Sequence, residues 1–243
     1  MSAKERLEEE IGVSSEEEAI REYIGIANII GITYSLIADH ISEFIQLKHG
    51  PAIDLGTGLG SLAIEIAKRY PYLKVIGLDI SESILKQAKK YADEQNISNI
   101  AFKVCDVHSL DFPDNSAELI VSQGSMHHWR DVKRALKEIY RVLMPAGLAF
   151  ISDLKADAPA EVVGEVVGLL NKAQAKGFMN SINASYLPKE VEGMLNDLGI
   201  IDYSVCEQKF SRRVIIKNLD KIRKSANRFD RYNKLHLNIL IKK

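Results

Sequence analysis

Pro51-Ala52-Ile53-Asp54-Leu55-Gly56-Thr57-Gly58-Leu59-Gly60 decides the fold of this chain. Pro51 to Leu55 reads as a buried strand and Ser61 to Ala67 as the helix that follows, so the glycines fall at a strand-to-helix turn. Without Cβ atoms they let the backbone bend sharply and lie against a ligand. A nicotinamide or flavin site more typically spaces its glycines as Gly-x-Gly-x-x-Gly and draws a pyrophosphate onto the helix N-terminus. Here the third glycine comes one residue early, and Asp54 faces the loop. A carboxylate there suits a sulfonium and an ammonium better than two phosphates, which points to S-adenosylmethionine.

The next marks lie downstream. Leu73 to Asp79 is a second strand ending in a carboxylate, 19 residues past Gly60, where an acid can accept both ribose hydroxyls. Ile80 is then placed to cover one face of the adenine. A third strand, Ile100 to Cys105, ends in Asp106, whose carboxylate is expected to accept from the adenine amino group while Val107 offers a backbone amide. Capping of the following helices is the plainer reading of Asp79 and Asp106. The fourth strand ends at Ser122-Gln123-Gly124, whose backbone is expected to meet the amino-acid end of the cofactor.

In these segments the chain resembles the class I S-adenosylmethionine-dependent methyltransferases, in the branch holding ubiquinone and menaquinone biosynthesis enzymes and many small-molecule methyltransferases. The resemblance is carried by Ile53 to Gly60, Val75 to Asp79, Cys105-Asp106-Val107, Leu119 to Ser122 with Met126-His127-His128-Trp129, and Ile139 to Gly147. It covers residues 48 to 155 strongly. One departure is Ala146, where the family usually has glycine before its fifth strand. The resemblance implies an α/β class, a Rossmann-like doubly wound seven-stranded sheet with its last strand antiparallel. It also implies a cofactor grip made by Asp54, Gly56, Thr57, Gly58, Gly60, Asp79, Ile80, Asp106, Val107, Ser122, Gln123 and Gly124.

The 243 residues, 46% apolar and 27% charged, suffice for one substantial core plus an accessory cap, and a single domain is expected. No apolar stretch reaches the length of a membrane span, and Met1 to Arg6 lacks the apolar run of a secretion signal. Cys105 and Cys206 fall in expected strands and read as buried thiols in a reducing compartment, so the cytoplasm is the natural location.

Strands alternate with helices in the manner of a parallel sheet covered on both faces. Ser81 is expected to cap a helix with Ile84, Leu85, Ala88 and Tyr91 inward, and Asp131 one with Ala135, Leu136, Ile139, Val142 and Leu143 inward. Pro188 and Gly199 bracket another, carrying Val191, Met194, Leu195 and Leu198. Ile200 to Glu207 reads as a strand and Leu235 to Ile241 as the last one. Two segments fall outside the alternation. Residues 1–47, with acidic runs Glu8-Glu9-Glu10 and Glu16-Glu17-Glu18 and the aromatics Tyr23, Tyr34 and Phe44, are expected to form a helical lid. Residues 156–186, with Val162, Val166, Leu170 and Gly177-Phe178-Met179-Asn180, are expected to form a mobile cap after the fifth strand, since Gly164 and Gly168 each cost a helix about a kcal/mol relative to alanine. Residues 48–155 make the cofactor core, and 187–243 the rest of the sheet with a basic segment.

A methyl on a sulfonium is already activated, so in-line displacement needs mainly a nucleophile held in alignment, and positioning can supply roughly 7 to 11 kcal/mol. His127 and His128, in the loop after the fourth strand, are the candidates to position the acceptor or act as base. Successive histidines rarely share a metal, and no clear carboxylate partner follows the fourth strand, so no metal is expected.

The partner expected is a small molecule. From Lys209 to Lys243 there are 12 Lys or Arg against two Asp, while the first 20 residues are acidic. A basic tail can hold RNA, yet its aromatics are few (Phe210, Phe229, Tyr232), and the Asn/Asp-Pro-Pro-aromatic turn of many nucleic acid base methyltransferases is missing after the fourth strand. Pairing of the two charged ends, within one chain or in a homodimer, explains the pattern as well. Other readings are a non-catalytic cofactor-binding protein, an aminopropyl transferase, which would want Asp in place of Ser122, and an arsenic methyltransferase, which needs several exposed cysteines.

Overall fold

The computed structural model describes residues 32–48, 50–224 and 233–243. Seven strands, β1 (Ala52–Leu55), β2 (Val75–Asp79), β3 (Ile100–Val104), β4 (Ala117–Gln123), β5 (Leu143–Leu154), β6 (Tyr203–Glu207) and β7 (His236–Lys242), form one sheet in the order β3-β2-β1-β4-β5-β7-β6. The first five are mutually parallel. β7 runs antiparallel to both β5 and β6, as expected of the last strand. Chain order reverses direction across the sheet between β1 and β4, and such a switch point opens a crevice at the carboxyl ends of the strands.

Helices are residues 32–41 (α1), Ser61–Arg69 (α2), Glu82–Glu94 (α3), Val132–Val142 (α4), Ala160–Val167 (α5), Lys172–Ala184 (α6), Pro188–Asp197 (α7), Arg212–Lys217 (α8) and Leu219–Lys224 (α9). The alternation in β5 and β7 explains the layers. Phe150 and Leu240 point to the face where Ile37 of α1 and Leu62 and Ile66 of α2 pack, together with Val214 of α8. Ile151, Ile239 and Ile241 point to the other, against Leu136 and Ile139 of α4 and Val191 and Leu195 of α7. Each such side chain, fully buried, stabilises the fold by roughly 1.5–3 kcal/mol.

The caps fall where the sequence places them. Ser81 Oγ accepts from the Ile84 amide and Asp131 from the Arg134 amide. In α3 Leu85, Ala88 and Ala92 are buried, while Ile84 and Tyr91 are only half-buried. α7 starts at Pro188, and Gly199, at φ +70°, lies just past its end.

Some expectations change. Leu143 starts β5 and does not belong to α4. The strand expected from Ile200 begins at Tyr203, because the Gly199 and Ile200 amides still bond back to the Asn196 and Leu195 carbonyls of α7. Neither cysteine is a buried core thiol: Cys105 lies just past β3 and is partly exposed, and Cys206 is exposed on edge strand β6. Ala146 adopts φ +64°, the left-handed conformation that explains why glycine suits this turn.

The acidic runs and Tyr23 of the expected lid lie outside the described residues; of that segment, α1 is a core helix with Leu36, Ile37, Ala38 and Ile41 fully buried. The basic segment is not a free tail where it is described. Lys217 Nζ and Asn218 Nδ2 donate to the buried carboxylate of Asp39 in α1 at 2.6 and 2.8 Å, and Arg69 Nε of α2 does so at 2.8 Å. Three segments distant in sequence are thus tied together at one acid. Residues 156–186 hold α5 and α6, the second begun by a capping box of Asn171 and Gln174, and pack through Val162 and Ile182 onto Leu154 and Leu235.

Candidate active site

The glycine turn sits where β1 and β4 end side by side. Gly56 has φ +62°, and a Cβ there would lie 1.9 Å from Ser125 Oγ, which itself accepts from Trp129 Nε1 at 3.0 Å. Only glycine allows the first loop to press so closely on the one after β4. Gly60, at φ +76°, starts α2 over the ring of Phe102. The Thr57 amide donates to the Leu78 carbonyl at 2.8 Å and the Gly58 amide to Asp79 Oδ2 at 3.0 Å, fastening the turn to the end of β2.

Asp54 lies beneath this turn, fully enclosed. Its Oδ2 accepts from Thr57 Oγ1 at 2.7 Å, and the Ala63 amide also donates to it. Burial pushes its acid up to about 7; those two hydrogen bonds pull the other way, and the nearby Asp79 adds to the rise. No cation among the described residues pairs with it. A buried carboxylate without a counter-charge is poised to take one from a ligand.

Asp79 accepts from the Ser81 amide on Oδ1 and from Gly58 on Oδ2, both at 3.0 Å, which leaves a lone pair on each oxygen for a vicinal diol. Ile80 stands 73% exposed beside it. Past β3, Asp106 is more occupied than the sequence suggests. Its Oδ1 accepts from the His108 amide at 2.9 Å and from the His108 ring, and Oδ2 faces Arg130 at 3.4 Å. The His108 amide and ring hydrogen bonds, with the Arg130 charge, hold its acid below the usual range. His108 Nε2 in turn accepts from the Asp131 amide at 3.1 Å, joining the β3 loop to the start of α4. Asp106, His108, Arg130, Asp131 and Arg134 line an open pocket of about 250 Å³. Val107 packs its side chain against the core.

After β4, Ser122 Oγ is spent on the Leu55 carbonyl at 2.9 Å, a tie between β4 and β1. Gln123 is the last residue of β4. Gly124 has φ +64°, its amide bonds the Ser152 carbonyl at 2.8 Å, and the space where a side chain would stand is open. A single 3₁₀ turn, Met126–His128, follows. His127 Nδ1 lies 2.6 Å from Asp153 Oδ1, and the His127 amide donates to Asp153 Oδ2 at 3.1 Å. The His128 ring lies beside that of His127, centroids 4.0 Å apart and planes tilted by 43°. The structure therefore corrects the expectation of no carboxylate partner: it comes from β5, not from the loop. Asp153 was missed in the sequence, although a charged residue inside the apolar run Leu148 to Leu154 is a signal in itself. Burial alone would raise the Asp153 acid, but the His127 charge, its hydrogen bond and the Leu154 amide hold it low. Among the described residues no three His, Cys, Asp or Glu side chains gather as metal ligands, and no helix is long and apolar enough to cross a membrane.

Residues 46–199 match the family model described as a methyltransferase domain. The ubiquinone/menaquinone biosynthesis C-methyltransferase UbiE of Desulfotalea psychrophila is 37% identical over 98 residues, 40% of this chain and 39% of that protein. The chain spans less than half the length of the curated relatives it matches, 46%, 39% and 48% of the first three. A SAM-dependent methyltransferase from Aquifex aeolicus superposes with a TM-score of 0.64 at 16% identity, covering 94% of this chain and 98% of that one. The plantazolicin methyltransferase BpumL, solved with a monoazolic desmethylPZN analog and SAH, reaches a TM-score of 0.75 at 18% identity, over 93% and 90% of the two chains. The chain belongs to the methyltransferase-domain family and has the fold of its S-adenosylmethionine-dependent members.

Proposed function

We propose that this S-adenosylmethionine-dependent methyltransferase acts in the cytoplasm on a small-molecule acceptor, by direct in-line displacement and without a metal ion. The observation that carries the reading is Asp54, an enclosed carboxylate that pairs with no cation among the described residues, beneath a turn that needs its glycines. When bound, S-adenosylmethionine supplies an electrophilic methyl and a leaving thioether.

The chain's own residues hold and orient. Asp54 takes the ammonium, the Gly56 to Gly60 turn with Thr57 and Gly58 lies along the amino-acid end, and the backbone of Ser122, Gln123 and Gly124 closes that end from β4. Asp79 accepts the ribose hydroxyls, Ile80 covers the base, and Asp106 with the Val107 amide meets its edge. His127 and His128 stand on the acceptor side, and the α5–α6 cap, whose second helix packs on their turn, closes over it. Closure of this kind excludes water before transfer.

Two comparisons support a small acceptor: the relative above is named for ubiquinone/menaquinone biosynthesis, and the plantazolicin methyltransferase BpumL was solved with a desmethylPZN analog. The basic segment gives RNA less to hold, because the Lys217 and Lys221 ammonium groups, though exposed, are engaged by Asp39 and Ser35. The decisive experiment incubates the chain and methyl-labelled cofactor with a small-molecule cell extract and, separately, with total RNA. Label in the small-molecule fraction is expected; label only in RNA overturns the choice.

A further inference from the structure

We propose that neutral His108 is the positioning residue of the adenine end: one ring nitrogen sets Asp106, the other holds the start of α4, and the imidazolium form, unable to do both, binds the cofactor more weakly. The inference rests on the methyltransferase reading above, with Asp106 at the edge of the base, and names the residue that positions and gates that end of the site.

Both nitrogens of this buried ring are spent. Nδ1 bonds Asp106 Oδ1, which also accepts from the His108 amide at 2.9 Å, so that oxygen is consumed within its own loop. Nε2 accepts from the Asp131 amide at 3.1 Å, which requires a lone pair there and places the ring proton on Nδ1. Oδ2 is then the oxygen left for an amino group. Among the described residues it meets only the 75% exposed Arg130, at 3.4 Å, longer than a charge-assisted hydrogen bond.

The same loop is fastened to α4 at a second point. The Leu110 amide donates to Glu138 Oε2 at 2.9 Å, Arg141 Nη2 donates to the Leu110 carbonyl at 2.9 Å, and Arg141 also bonds Glu138. Arg141 holds the Glu138 acid low and Glu138 raises the Arg141 guanidinium, so this far fastening keeps its charges across the neutral range. The near fastening, beside Asp106, depends on an imidazole, the side chain that ordinarily titrates in that range. An imidazolium carries N–H on both nitrogens. Its Nε2–H would oppose the Asp131 N–H and leave that amide without its acceptor, while the bond from Arg134 Nε to the His108 carbonyl, at 2.9 Å, does not titrate.

The charged groups facing His108 are Asp106 from its own loop and Arg130, Asp131 and Arg134 from the start of α4, which line the same pocket. Two acids and two arginines balance, so the imidazole sets the sign. Its protonation places a positive charge beside the carboxylate that is to accept from the adenine amino group. Both effects lower affinity, and by reciprocity the bound cofactor must lower the His108 midpoint by as much.

Nitrogen NMR of the ligand-free chain at pH 8 is expected to show His108 as the Nδ1–H tautomer, and the Asp131 amide signal to move with the His108 titration. An Nε2–H tautomer, or an Asp131 amide indifferent to that titration, overturns the clamp. Saturation with S-adenosylhomocysteine is expected to lower the His108 midpoint by about one pH unit; an unmoved or raised midpoint overturns the proposal, and no variant is needed to see it. Asp54 also ties affinity to pH, so calorimetry compares wild type with His108→Gln at each pH, where the Asp54 share cancels in the ratio. Gln supplies an acceptor for the Asp131 amide that never titrates. The dissociation constant of the variant relative to wild type is expected to fall about fivefold or more from pH 8 to pH 5, as a one-unit shift in midpoint requires. A ratio constant across pH overturns the proposal. Failure of wild type to bind S-adenosylhomocysteine at pH 8 rejects the cofactor reading instead, and the ligand-free tautomer and Asp131 amide then decide the clamp alone.

Discussion

Thr57 Oγ1 donates to Asp54 Oδ2 at 2.7 Å inside the glycine turn, so a threonine three residues along supports the very carboxylate the turn encloses. The hydroxyl satisfies one lone pair but brings no charge. Asp54 is therefore held near neutrality by its burial, and its ionisation is coupled to the arrival of a cation.

Binding should release a proton. With its acid raised to about 7, Asp54 is mostly protonated at pH 6 in the ligand-free chain; an ammonium beside it lowers that value and drives ionisation. Calorimetry of S-adenosylhomocysteine in buffers of different ionisation heat is expected to show release approaching one proton at pH 6 and almost none at pH 9. Asp54→Asn abolishes the release and weakens binding about 10- to 100-fold, the worth of one charge-assisted hydrogen bond. Stability has the opposite sign from an ordinary ion-paired acid: a raised carboxylate favours the fold below its unfolded value of 3.8, and that contribution is lost as pH rises from there through about 7.

Asp79→Ala is expected to abolish measurable S-adenosylhomocysteine binding in calorimetry. The substitution removes the ribose acceptors and also the oxygens that hold the Gly58 and Ser81 amides, so the turn itself loosens. Affinity unchanged from wild type rejects the ribose assignment.

Gly56 and Gly124 share a left-handed backbone but not their surroundings, which makes them a matched pair. Gly56→Ala puts a methyl into Ser125 and is expected to eliminate cofactor binding with a clear drop in Tm. Gly124→Ala meets open space and carries only the conformational cost, about 1–2 kcal/mol, so the chain still folds. Equal effects in thermal unfolding would show that the two loops do not press on each other.

Helix starts were readable from residue type because each capping side chain acts within its own turn: Ser81 with the Ile84 amide and Asp131 with the Arg134 amide. What escaped was pairing across the sheet. Asp153 reaches His127 from 26 residues away, and no periodicity in β5 announces which neighbour a buried acid will meet. His108 stayed hidden for the same reason, since its role is to join the β3 loop to α4. The cysteines were misread because strand membership was taken for burial, while edge strand β6 leaves Cys206 in solvent. Charge counts misled in a similar way: the basic run from Lys209 is partly an internal fastening, visible only once α1 and α8 lie side by side.

That fastening sets the last prediction. Burial alone would raise the Asp39 acid, but the hydrogen bonds from Arg69, Lys217 and Asn218 outweigh it and hold the group ionised far below the usual carboxylate range. Asp39→Ala leaves the half-buried Arg69 guanidinium with fewer partners and the Asn218 Nδ2 group with only the Val214 carbonyl to donate to, and breaking a buried pair from one side costs about 3–5 kcal/mol. Lys217→Met removes only a largely exposed ammonium and is expected to cost about 1 kcal/mol or less. The pH dependence follows the depressed acid: its stabilisation is complete above the unfolded value of 3.8 and fades as pH falls below it. Denaturant titrations at pH 7 and pH 3 measure this directly. The gap between wild type and Asp39→Ala should be widest at pH 7 and narrow in acid; an equal gap at both pH values would mean that packing of α1, and not its carboxylate, joins the three segments.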